Sequence, residues 1–229
     1  MLEKRKKFSK KEMKQDTLVT SYYKAYSFFI ENQMRILIGV GVVALVVVAI
    51  ILISNKRAND NQIASTLVSK IMPVYNSGQF KQAIEGVKAT NIAGLKEIVD
   101  NYGSSQAGET AKILLANSYF NTGNFEAALE NYEDYGGSNL LFKSTSLAGQ
   151  AAYYEFKNEN EKAASLYKEA SDVTKVNPAN ADYLLRAGIN YLKVGKKEEA
   201  KVVLELIKKD YRVTTAAQEV DKYLIQVES

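Results

Sequence analysis

The sequence predicts an all-α protein in which one transmembrane helix is followed by a stack of helical hairpins. Three observations predict it. Residues 36–54 carry no charge. Fifteen Tyr and 8 Phe accompany only 2 Pro and no Trp, a usage that suits long packed helices better than a turn-rich β-sandwich. A short signature running from Gly or Asn to Ala recurs four times beyond residue 55. Composition also limits the chemistry. There is no His and no Cys, which removes the commonest general acid–base group, thiol nucleophiles, disulfides and the usual zinc ligands. No catalytic residue, cofactor or metal is expected, and an enzyme is the least favoured class.

The first element is a basic tail, residues 1–33, ending in an amphipathic juxtamembrane helix. Its run KRKKFSKKEMK is the kind of patch that binds nucleic acid. Next to an apolar span, however, it reads as a topological signal and a lipid-headgroup contact, so the expected partner is membrane lipid and not nucleic acid. In TLVTSYYKAYSFFIENQ, Leu18, Tyr22, Tyr26 and Phe29 recur at helical spacing, with Val19, Tyr23 and Ile30 beside them. Such a stripe suits a helix at headgroup level or a docking face for a membrane partner.

The second element, residues 34–55, is a transmembrane signal anchor. Residues 36–54 read ILIGVGVVALVVVAIILIS, 19 residues bracketed by Arg35 and by Lys56 and Arg57. About 20 apolar residues cross a hydrocarbon core of about 30 Å. A core helix of a soluble domain would carry a polar stripe, and this run has none. A cleavable signal peptide would need a shorter start, a shorter apolar core and a small-x-small site, which ISNKRANDN lacks. Residues 1–35 hold nine Lys or Arg against four acids, a net of +5, whereas the remainder is close to neutral. Basic residues stay on the cytosolic side, so the N-terminus is expected in the cytosol and residues 56–229 beyond the membrane.

The third element, residues 56–229, contains Gly78-Gln-Phe-Lys-Gln-Ala83, Gly123-Asn-Phe-Glu-Ala-Ala128, Asn158-Glu-Asn-Glu-Lys-Ala163 and Gly195-Lys-Lys-Glu-Glu-Ala200. Gly and Asn tolerate the left-handed conformation that ends a helix, and Ala lets the next helix approach. The Ala positions are 45, 35 and 37 residues apart. The spacing resembles the 34-residue tetratricopeptide repeat. The last three units supply its small and aromatic positions: Ala116, Tyr119, Ala128 and Tyr132; Ala151, Tyr154, Ala163 and Tyr167; Gly188, Tyr191, Ala200 and Leu204. The early Trp and most of the terminal Pro positions are absent. The first unit fits least, and the extra stretch LKEIVDNYG reads with it as an atypical cap. The fold class is therefore all-α, with one transmembrane helix and a tetratricopeptide-like α-solenoid.

The family's groove is lined from the first helix of each unit. Carried onto this chain, it implies a protein-binding groove of Asn117, Phe120 and Asn121, then Glu155 and Phe156, then Ile189, Leu192 and Lys193, suited to an extended protein segment and to no small-molecule substrate. The run SYYKAYSFFIENQMRILIGVGVVAL, followed by degenerate repeats, resembles the YfgM-like ancillary subunits of the bacterial Sec translocon, with a longer and more basic tail. That resemblance implies a non-enzymatic scaffold in the bacterial inner membrane, its repeat domain periplasmic, beside translocon subunits or periplasmic chaperones. The alternative is a repeat subunit of another envelope assembly, such as the cell-division or outer-membrane biogenesis apparatus.

Overall fold

Gly78, Gly123, Asn158 and Gly195 all have φ between +61° and +81°, and each ends one helix and starts the next. The backbone bonds repeat with them. The N–H of Gly123 bonds the carbonyl of Phe120 and that of Asn124 the carbonyl of Tyr119; the same pair of bonds recurs at Gly78, Asn158 and Gly195. This is the Schellman arrangement, which satisfies the last carbonyls of a helix and requires the left-handed residue. Five residues on, Ala83, Ala128, Ala163 and Ala200 are each fully buried.

The computed structural model describes residues 10–228, with side chains from residue 19 onward. Lys4, Arg5, Lys6 and Lys7 lie outside the described residues, as do the side chains of Lys10, Lys11, Lys14 and Leu18. The described chain is 82% helical, in ten α-helices. It divides into two units, Met1–Lys56 and Arg57–Ser229, and α1 (Lys10–Asn76) contributes to both.

In the first unit α1 is long and apolar enough to cross a membrane. Every large apolar side chain from residue 37 to 53 is exposed. A protein core would cover such a run, whereas lipid needs it bare.

The second unit begins with the last turns of α1, where Ala64, Val68 and Ile71 make a buried stripe at helical spacing. They share a core with α2 (Phe80–Glu85), α3 (Leu95–Tyr102) and α4 (Gln106–Asn121). Between α2 and α3 lies a feature absent from the sequence reading, the antiparallel pair β1 (Gly86–Val87) and β2 (Ile92–Ala93). At two residues a strand it is too short for alternation to register. Together with α3 it fills the long first interval. Then follow α5 (Phe125–Glu133), α6 (Leu140–Phe156), α7 (Asn160–Asp172), α8 (Asn180–Lys193), α9 (Lys197–Asp210) and α10 (Thr215–Glu228), each packed on its predecessor, with α10 also covering α8.

Local sequence starts these helices as well as ending them. Ser105 Oγ accepts from Gly108 N at 3.0 Å, and Asn139 Oδ1 accepts from Leu141 N at 2.9 Å, capping α4 and α6. Close approach is bought at two further glycines. A Cβ on Gly149 of α6 would enter the ring of Tyr132 on α5, and one on Gly188 of α8 would lie 2.6 Å from Leu204 Cδ2 on α9.

Candidate functional site

An open cleft of about 480 Å³ runs along α4, α6 and α8. Small residues of α6, Ala148, Gly149 and Ala152, leave the space, and the buried rings of Tyr132 (α5) and Tyr167 (α7) reach it from the second helix of each hairpin. Phe120 and Phe156 line it together with Asp182, Tyr183 and Arg186 of α8.

The charged groups of the cleft are tied together. Glu155 accepts from Tyr167 Oη at 3.1 Å, Arg186 Nη1 at 3.3 Å and Lys193 Nζ at 3.2 Å. Burial opposes its ionisation, but Lys193, Asn190 and Tyr167 outweigh that and hold its carboxyl below the ordinary range. The Arg186 guanidinium also lies 5.8 Å from the Tyr167 ring centroid. Burial, with Glu155 adjacent, pushes the Tyr167 phenol up, so it stays a neutral donor. In the neighbouring hairpin Tyr132 Oη donates to Asn117 Oδ1 at 2.6 Å, and Asn117 Nδ2 donates to Tyr75 Oη at 3.2 Å.

At the rim, aromatic rings from successive helix ends touch. Phe120 meets Phe125 with centroids 5.0 Å apart, and Phe125 meets Phe156 at 4.3 Å. Phe156 remains 54% exposed. Lys157, ion-paired to Glu126 at 2.9 Å, lies 5.8 Å from its centroid.

The structure thus brings together Phe120, Glu155 and Phe156, with Lys193 reaching Glu155. The other groove positions go elsewhere. Asn117 is half-buried and spends its amide on two tyrosines, and Asn121 is exposed and bonds back to the carbonyl of Asn117 at 2.8 Å. Ile189 and Leu192 pack against the core of α6 to α10 and do not line the cleft. Helix rotation explains this, because the exposed and core-facing sides of α8 are only one residue apart. Arg186, Asp182 and Tyr183 were missed. The signal that could have found them is the small-residue pattern SLAGQAA on α6, which marks where a neighbour must leave room.

A second cluster is structural. Lys112 of α4 is nearly buried, with Nζ 3.1 Å from Glu109 Oε1 and 2.8 Å from Asp134 Oδ2. Burial disfavours its charge, but Asp134 and Glu109 prevail and raise its pKa. Glu109 also accepts from Gly136 N at 2.8 Å, so the cluster pins the connection from α5 to α6. Among the described residues no group of Asp or Glu is arranged to hold a metal ion. Compared with protein-family models, characterised proteins and solved structures, the chain matches none.

Proposed function

We propose that the chain is a non-enzymatic, membrane-anchored scaffold whose second unit, a tetratricopeptide-like solenoid, captures segments of other proteins in the α4–α6–α8 cleft. The observation that carries this reading is the pairing of an exposed aromatic ring, Phe156, backed by the partly buried Phe120, with a fixed set of charges at Glu155, Arg186 and Lys193. Apolar anchors beside oriented polar groups are what a protein segment needs for affinity and register. The four matching helix ends support the repeat assignment. The net of +5 before an apolar run supports a cytosolic N-terminus and an extracytoplasmic second unit in a bacterial inner membrane. The likeness of residues 21–45 to YfgM-like proteins favours translocon subunits or periplasmic chaperones as partners.

Site-specific photo-crosslinking in cells tests the proposal. A benzophenone side chain at Phe156 or Phe120 should give adducts with extracytoplasmic parts of translocon subunits or chaperones, and one at the fully exposed Val213, outside the cleft, should not. Adducts with cell-division or outer-membrane assembly proteins would assign the scaffold to that machinery. Identical patterns at Phe156 and Val213 would sink the cleft as the binding face.

A further inference from the structure

Residues 19–30 of α1 present a separate surface. At 100° per residue, Val19, Tyr22, Tyr23, Tyr26, Phe29 and Ile30 fall within about 120° of the helix circumference, while Thr20, Lys24, Glu31 and Arg35 fall opposite. All six stripe side chains are exposed. Tyr22 stacks on Tyr26 with centroids 6.3 Å apart and meets Tyr23 edge-on at 5.9 Å. Phe28 is the one large apolar residue of the segment on the polar side.

Length decides where this stripe can go. From residue 19 to 53 a helix rises about 50 Å, whereas the hydrocarbon core is about 30 Å thick. With residues 36–54 in the core, the stripe lies outside it. Tyrosine fits the headgroup layer, where the ring is covered and the hydroxyl keeps polar partners. Lys24 and Arg35 flank the stripe, and residues 4–14 add seven more Lys and Arg. That charge complements anionic headgroups. Within unbroken α1, Asn32 Nδ2 donates to the carbonyl of Phe28 at 2.9 Å, and Ser27 Oγ to that of Lys24 at 3.2 Å. Side-chain bonds of this kind ease the bending of a helix, and laying the stripe on a surface requires a bend between it and the span.

Resting on the membrane-anchor reading above, we propose that on an anionic lipid surface residues 19–30 lie as an interfacial helix, stripe inward, with α1, continuous through residues 31–35 in this structure, bending there to enter the span. The chain has no Cys, so single labels are read without background. Nitroxides would be placed at Thr20→Cys, Lys24→Cys, Tyr26→Cys, Phe29→Cys and Val46→Cys in the full chain, reconstituted in vesicles containing phosphatidylglycerol. Accessibility to oxygen and to a water-soluble nickel chelate is then compared. The expected result is an oxygen-rich position 46, lipid-facing positions 26 and 29, and nickel-accessible positions 20 and 24. In phosphatidylcholine alone, positions 26 and 29 should shift toward nickel accessibility, and the absence of that shift overturns the choice of an anionic surface. If 46 is oxygen-rich but 26 and 29 match 20 and 24, the interfacial helix fails while the anchor stands. A nickel-accessible position 46 overturns the anchor itself. Spin–spin broadening at 26 and 29 that disappears on dilution with unlabelled chain puts a second copy where the lipid was placed, and overturns the proposal.

Discussion

Tyr167 and Phe156 stand on adjoining helices beside the same cleft, yet they should respond oppositely to truncation. Tyr167 is buried and holds Glu155, so Tyr167→Ala removes packing and a donor together. It should cost about 3–5 kcal/mol and lower Tm by roughly 10 °C in a thermal melt. Phe156 is half in solvent, so Phe156→Ala should leave Tm nearly unchanged and weaken partner cross-linking by about 1–3 kcal/mol in a competition assay. Leu192 belongs with the stability set, because it packs against the core. Glu155 gives a pH test. Its carboxyl is held below the ordinary range, so the stability it contributes is present above its unfolded pKa and is lost as pH falls through the lower, folded value. The stability gap between wild type and Glu155→Gln should therefore close on acidification. A gap independent of pH would mean that Glu155 acts through shape alone.

At the level of the helices, the four connecting turns separate conformational cost from steric cost. A Cβ on Gly78, Gly123 or Gly195 would meet nothing within 4 Å, so a substitution there suffers only from positive φ. Gly123→Val should cost about 1–3 kcal/mol by denaturant titration, and Gly123→Asn less, since Asn158 already occupies the equivalent turn. Gly149 is the reverse case. Its conformation suits any residue, but even Ala would collide with the Tyr132 ring. Gly149→Ala should destabilise by displacing that ring from Asn117, and Tyr132→Phe should not rescue it. Ala163→Asp would place a carboxylate in a fully buried contact and should unfold the second unit, read as loss of helical circular dichroism.

For the whole molecule, the decisive charge distribution lies at one end of the chain. Protease added outside spheroplasts should digest the second unit and spare the N-terminal tail. Protection of residues 57–229 with cleavage before residue 33 would invert the topology. The second unit carries its own apolar clusters from Ala64 to Val220, so residues 57–229 expressed alone should be soluble and helical.

The sequence by itself determined the features that depend on local chain physics. Residues 36–54 mark a run long and apolar enough to cross a membrane, because length and the absence of charge are properties of the segment alone. The residues at Gly78, Gly123, Asn158 and Gly195 declare helix ends because positive φ is a property of a single backbone position. Ala83, Ala128, Ala163 and Ala200 were legible as close contacts by their fixed offset from those turns. The cleft was only partly legible. Aligning the recurring helix-end signatures placed Phe120, Glu155 and Phe156 at positions that line the cleft, but not Leu192 and Ile189, because a rotation of one residue around α8 exchanges cleft for core. Arg186 joins the site through Glu155, 31 positions away, and no periodicity encodes a contact across helices. Tertiary structure decided which face of α8 meets the cleft, since that depends on how α8 packs between α7 and α9.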